Sequence, residues 1–246
     1  MKRYPLALFV TAGLVAGSHG RALAQTQPPP PPPKWETAAT LGFSLTSGNS
    51  DTMLLTGMIK TQKKGPLDVW GFGASGAYGE SGSVVNNNYV QGYGQYNRLL
   101  GERWFLYGRV DALHDEIADV NYRVSLSPGA GYYFIKNKTT TLAGEVGPGV
   151  VIEERGGNDS TYATLRVAGR FEHKFSDRAR TWAKAEYLPE LSDFGNYLLN
   201  SEVGVGASLT KKLELTVILQ DNYASQPAAG RKDNDLKLVT GITYKF

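Results

Sequence analysis

The chain has 246 residues, with 26 Lys and Arg against 23 Asp and Glu, 29 Gly and no Cys. The missing cysteine excludes a thiol nucleophile, a disulfide framework and cysteine-ligated metal. The formal charge of +3 does not point to nucleic acid: Lys2, Arg3 and Arg21 fall in a leader without acids, so 26 − 3 = 23 basic residues balance the 23 acidic ones.

Residues 1–24 carry Lys2 and Arg3, a short apolar run and the small-residue site Ala22-Leu23-Ala24. This pattern predicts a secretory signal peptide cleaved after Ala24. The apolar run is too short to cross a bilayer and no stop-transfer segment follows it. Residues 25–34, QTQPPPPPPK, hold six consecutive prolines. They predict an extended, Pro-rich periplasmic leader rising about 3 Å per residue, either a semi-rigid arm or a solvated spacer. Residues 35–246 show no linker and no shift in composition, and read as one domain.

That domain is written in period two. In WETAATLGFSLT, Trp35, Thr37, Ala39, Leu41, Phe43 and Leu45 share one face, and Glu36, Ala38, Thr40, Gly42, Ser44 and Thr46 share the other. The same alternation, broken by Gly, Asn, Asp, Ser and Lys clusters, predicts twelve strands. They fall near 35–46, 52–63, 68–79, 88–98, 103–114, 121–135, 139–153, 160–175, 179–189, 197–210, 213–224 and 235–246. Strands of about 10–15 residues exceed the usual mode of about 5–6 and match the roughly 9–11 that a tilted strand needs to cross a bilayer.

A soluble sandwich or lipocalin-like barrel would turn the apolar face inward; a membrane barrel turns it to lipid. The connections favour the membrane barrel. KKGPLD, LLGER, KNK, SDR and TKK are short and mainly basic, and alternate with GESGSVVNNN, DEIADVN, ERGGNDS, PELSDFGN and SQPAAGRKDND, which are longer and mainly acidic. The one tight member of the second set is SGNSD. The expected fold is all-β: a transmembrane antiparallel up-and-down β-barrel of twelve strands, outer-membrane type, with both termini on the periplasmic side. Trp35, Trp70, Trp104 and Trp182 are expected in an aromatic girdle at that rim. The glycines are expected to relieve curvature and let aromatic rings lie over bare backbone.

Alternation turns Arg109, Asp111, Arg123, Glu145, Glu153, Arg166, Arg170, Glu172, Lys184, Glu186 and Glu202 into the lumen. They either line a narrow pore for polar or charged solutes or pair across the lumen and fill it. About eight strands give a filled barrel and 16–18 an aqueous channel, so twelve leaves both open. Outside the leader, which contains His19, the histidines are His114 and His173. Neither has a Ser two residues on, as a hydrolytic pair on one strand face would need, and both read as interfacial residues. DEIADVN (115–121) and ERGGNDS with its preceding Glu153 are candidate Ca²⁺ or Mg²⁺ contacts, but neither has the residue order of a calcium loop. They read equally as solvated acidic loops.

The last strand, LKLVTGITYKF, places Leu236, Leu238, Thr240, Ile242, Tyr244 and Phe246 on one face. Its end resembles the C-terminal assembly signal of outer-membrane barrels, which implies recognition of Phe246, Tyr244 and Ile242 by the barrel assembly machinery. LGFSLTSGNSDT (41–52), RWFLYGRVDALHDE (103–116) and NYRVSLSPGAGYYF (121–134) resemble the YdiY-like outer-membrane family, a domain of unknown function (family 481). The resemblance spans residues 35–246. Some members are labelled salt-induced outer-membrane proteins, which implies a stress-responsive envelope role; the family brings no activity or catalytic residue. The expected protein is a non-enzymatic, monomeric barrel of a Gram-negative outer membrane. It has no cofactor, no metal and no nucleic-acid partner, contacts outer-membrane lipid and lipopolysaccharide, and is structural or passes small polar solutes. An outer-membrane enzyme modifying lipid or lipopolysaccharide is the alternative. An adhesin or receptor is a third reading, disfavoured by loops of only about ten residues against the roughly 20–30 of a standard interface.

Overall fold

A computed structural model describes residues 32–46 and 52–246. The signal peptide, with His19, most of the Pro-rich leader and the SGNSD turn lie outside the described residues. Twelve strands follow in chain order: β1 Trp35–Thr46, β2 Thr52–Lys64, β3 Asp68–Ser81, β4 Val84–Leu99, β5 Trp104–Asp115, β6 Val120–Lys136, β7 Thr140–Arg155, β8 Asn158–Lys174, β9 Ala179–Pro189, β10 Tyr197–Ser208, β11 Leu213–Ala224 and β12 Asn234–Lys245. Each pairs antiparallel with its chain neighbours, and β1 pairs with β12, so the sheet closes.

The alternation decides which way each side chain faces. Leu41 (70% exposed), Phe43 (65%) and Leu238 (61%) stand on the outside, together with Leu55, Ile59, Val90, Leu106, Val146, Val203 and Ile242. An apolar surface running around a whole sheet is a liability in water and the required coat in lipid. Closure serves the same end, because an unpaired strand edge has no water to bond with in a hydrocarbon layer. Trp35, Trp70 and Trp104 face outward near one rim, beside Phe72, Tyr96, Tyr132, Phe134, Phe175, Tyr244 and Phe246; Trp104 meets Tyr132 at 4.9 Å and Tyr244 meets Phe246 at 4.9 Å. We call this the Trp35 rim. At the opposite rim Tyr187, Tyr197 and Tyr223 form a second cluster, with centroids 5.3 and 5.6 Å apart.

Two expectations are corrected. Trp182 does not join the girdle. It shares parity with Lys184 and Glu186, so it faces inward, packs with Ile218, Val239 and Met58, and lies over Gly204. The connections at the opposite rim are mostly not long. β3 and β4 extend to a two-residue hairpin at 82–83, and β7 and β8 to another at 156–157, while 116–119 is four residues; among the described connections of this rim only 190–196 and 225–233 are longer. Polar residues sit as well in a ladder beyond the lipid as in a loop. Gly82 and Ser83 (φ 56° and 63°) and Gly156 and Gly157 (58° and 74°) supply the two left-handed positions that tight hairpins need.

The closing seam is the shortest ladder. β1 and β12 align over Ala38↔Lys245 to Leu41↔Ile242, and Phe246 N–H donates to the Thr37 carbonyl at 3.0 Å. On its inner face Thr40, Thr243 and Thr216 form a hydroxyl chain at 2.7 and 2.8 Å. Gly241 lies so close to β1 that a Cβ there would stand 2.4 Å from the Leu41 carbonyl oxygen. Gly241→Val is therefore expected to prevent closure, with loss of the compact, heat-modifiable band on cold gel electrophoresis; an unchanged band would show that the seam tolerates separation there.

Candidate functional site: the lumen

All the charged residues expected in the lumen lie on the inner wall, and most are joined in three groups. At mid-height Arg166, with a side chain only 5% exposed, donates to Glu145 at 2.9 Å and to Glu186. Glu145 also accepts from Gln95 at 3.1 Å and stands 3.4 Å from Arg170. Arg109 donates to Asp111 at 2.8 Å and to Gln95 at 2.9 Å, and stacks 4.6 Å over Tyr93. Its Nε is also 3.8 Å from Glu186. The second group centres on Glu202, which accepts from Trp182 at 2.6 Å, Gln220 at 3.0 Å, Lys184 at 3.2 Å and Lys60 at 3.3 Å. The third lies toward the opposite rim. There the fully buried Glu153 accepts from Arg123 and, at 3.1 Å, from Tyr162, with Arg155 at 3.2 Å. Glu172 is the exception: it is half-buried and carries no ion pair among the described residues.

Several contacts span the lumen. Lys60 on β2 meets Glu202 on β10, Arg109 on β5 approaches Glu186 on β9, Gln95 on β4 meets Glu145 on β7, and Lys237 on β12 meets Asp115 on β5 at 3.5 Å. These strands are not neighbours, so the side chains bridge the interior. Apolar groups pack between the charges toward the Trp35 rim: Phe105, Tyr107, Tyr133 and Ala143 on one side, Trp182, Ile218 and Val239 on the other. Arg170 donates to Tyr133 Oη at 3.0 Å between the two kinds of layer. Two cavities in the wall measure about 10 and about 40 Å³, the second touching Met58, Lys60, Arg180 and Trp182. Such volumes hold a few waters at most.

Sequence reasoning missed Lys60, Arg180, Glu214 and Asp115 as lumen charges. Glu214, whose side chain is 1% exposed, accepts from Arg180 at 2.7 Å and Lys245 at 2.6 Å. Parity held the signal, since Glu214 shares a face with Thr216 and Ile218, and Arg180 with Trp182 and Lys184.

At the opposite mouth, Ala228 of the 225–233 connection is buried beside Gly156, whose N–H donates to the Asp119 carbonyl at 2.8 Å. The two acidic segments thus meet, but their carboxylates diverge. Asp115 and Glu153 face the lumen, Glu116 bonds Asn88, Glu154 accepts from Asn121 at 2.8 Å and Asp159 from Tyr122 at 2.7 Å. Among the described residues no group of three or more acids or histidines could hold a metal ion. His114 Nδ1 lies 2.7 Å from the Asn121 carbonyl at the rim, and His173 Nδ1 lies 2.8 Å from Thr140 Oγ1, its ring between Phe171 and Phe175 on the lipid side. Ile242, Tyr244 and Phe246 are exposed on the outer face of β12.

A closed, twelve-stranded antiparallel barrel with an apolar coat, aromatic girdles and a polar lumen is the architecture of outer-membrane β-barrels. The NanC porin is similar at 10% identity, with a TM-score of 0.54, over 86% of this chain and all of that one. The KdgM porin (8% identity, TM-score 0.44, 87% and 99% of the chains) and the translocator domain of autotransporter NalP from Neisseria meningitidis (14%, 0.45, 86% and 87%) are more distant barrels. The chain belongs to the DUF481 family, described as a protein of unknown function, whose model matches residues 39–246. No curated protein matches it.

Proposed function

We propose that the protein is a non-enzymatic barrel of a Gram-negative outer membrane, closed at rest by its own ionic wall, that passes small polar solutes only when that wall rearranges. The observation that carries this reading is Arg166, buried between Glu145 and Glu186 at mid-lumen. The choice of residues also favours a lumen that hydrates. Apolar side chains of similar volume fill a permanent plug at least as stably, because buried charges lose their hydration. A wall that keeps its charges suits a conduit that is wet in one of its states. Neither His114 nor His173 stands beside a nucleophile and a carboxylate, so the geometry does not favour the lipid-modifying reading. In planar bilayers the purified protein is expected to show no steady conductance at low voltage. Stable, porin-sized open steps would contradict the reading.

The outward stripe of Ile242, Tyr244 and Phe246 is proposed as the contact for the barrel assembly machinery. Its support is position: the stripe is exposed on a strand that pairs with β1 over a short ladder. Deleting Phe246 is expected to lower the outer-membrane level severalfold while refolding in detergent still proceeds. Unchanged levels in the membrane fraction would count against it.

A further inference from the structure

The turns at the Trp35 rim carry a charge pattern that lies outside the ion-pair groups of the lumen. Arg103, Lys138, Arg178, Lys211 and Lys212 are all exposed and lie in four of the five connections at this rim. The only acids within those connections are Glu102 and Asp177. The connections of the opposite rim instead carry Glu116, Asp119, Glu190, Asp193 and Asp233, with Arg231 and Lys232 their only cations among the described residues. The barrel is therefore positive at one end and negative at the other.

Two of the cations are tied to the girdle itself. Arg103 donates to the hydroxyl of Tyr132 at 3.2 Å, and Tyr132 packs between Trp104 and Phe134 on the outer face. Lys136 reaches the same turn, donating to the Glu102 carbonyl at 3.1 Å. Across the barrel, Lys212 donates to the Tyr244 hydroxyl at 3.4 Å and lies 5.6 Å from its ring centre, beside Phe246. A girdle tyrosine marks the depth of the lipid headgroups, with its ring among acyl chains and its hydroxyl at the polar boundary. A cation bonded to that hydroxyl stands at phosphate depth. Arg103 remains exposed, and a guanidinium has five donors in a fork that matches phosphate oxygens.

We infer that the Trp35 rim binds anionic phospholipid headgroups, with Arg103–Tyr132 and Lys212–Tyr244 as two phosphate seats. The inference rests on the membrane-barrel reading above. A glycerol-type headgroup with a net negative charge satisfies the ring of cations, whereas a zwitterionic one brings its own ammonium into the same field.

The test is native mass spectrometry of the full-length protein released from mixed micelles of phosphatidylglycerol and phosphatidylethanolamine. Folding is scored separately by the heat-modifiable gel shift. The wild type is expected to retain phosphatidylglycerol preferentially. Arg103→Gln with Lys212→Gln is expected to reduce that preference roughly fivefold per cation lost, while Arg231→Gln with Lys232→Gln at the opposite rim leaves it intact. Inorganic phosphate is expected not to displace the lipid. A folded wild type without preference, or a preference unchanged in the Arg103/Lys212 variant, would overturn the inference and leave the barrel reading standing. Displacement by inorganic phosphate, or preferential capture of soluble polyglutamate, would also overturn it, making the rim a general anion site or a dock for an acidic polymer. Failure of the wild type to give a folded band in either lipid would instead sink the membrane-barrel reading.

Discussion

Arg166→Ala is expected to destabilise the barrel by about 3–5 kcal/mol, the usual cost of removing one partner from a buried ionic group. It is also expected to give the lumen a measurable conductance. Arg166 touches Glu145 and Glu186 at once, and its own side chain is 5% exposed. Its loss leaves two carboxylates with fewer counterions and removes the group that joins β7 to β9 across β8. Arg170 still lies 3.4 Å from Glu145 and Arg109 lies 3.8 Å from Glu186, which sets the loss at the low end of the range. Water then enters to hydrate what is unpaired. The midpoint of urea unfolding in vesicles measures the first effect and single-channel recording the second. Adding Glu145→Gln and Glu186→Gln to an Arg166→Met background is expected to recover part of the stability, because unpaired charge rather than lost packing is the cause. A midpoint unchanged in Arg166→Ala would mean that the site is already hydrated.

The second large effect is steric. A Cβ on Gly204 would stand 2.1 Å from the Trp182 ring, so Gly204→Ala must displace an indole held by its Nε1 bond to Glu202. Overpacking of this kind costs on the order of 1–3 kcal/mol, and the lost hydrogen bond loosens the Glu202 group with it. Gly169→Ala is the control, since nothing lies within 4 Å of a Cβ there. Trp182→Leu is expected to relieve most of the Gly204→Ala cost. Equal costs of Gly204→Ala in both backgrounds, measured by the same unfolding midpoints, would show that the ring is not the obstacle.

Much of this architecture can be read from alternation alone. The observed strands depart from the expected bounds by a residue or two at most ends, because a lipid-coated barrel imposes period two on every strand with the same sense. The largest departure is the start of β4, four residues early at the 82–83 hairpin; there and at 156–157 polar segments expected as loops continue the ladder into tight hairpins. Polarity does not distinguish a loop from a strand that has left the membrane, and the Gly-Ser and Gly-Gly pairs were the available signal. Alternation also assigns inward residues, and it failed for Trp182 only where a preference for rim tryptophans overrode parity. It cannot say which inward residues meet. That Lys60 reaches Glu202, or that Arg109 approaches Glu186, depends on the stagger and closure of the whole sheet, which no local stretch encodes. For the same reason alternation does not distinguish an open from a filled lumen.

A single cysteine in the naturally cysteine-free chain decides whether the lumen is closed. Thr164 lies on the inner wall, fully buried, and its Oγ1 makes no hydrogen bond among the described residues, so Thr164→Cys is a mild change. In folded, vesicle-inserted protein, a charged membrane-impermeant methanethiosulfonate is expected to label Cys at this position slower by orders of magnitude than at the exposed turn position of Glu102→Cys. Arg166→Ala is expected to accelerate the slow reaction. Labelling of the Thr164→Cys protein at the rate of the turn control, with Arg166 in place, would show a continuous aqueous lumen and contradict a barrel closed by its own ion pairs.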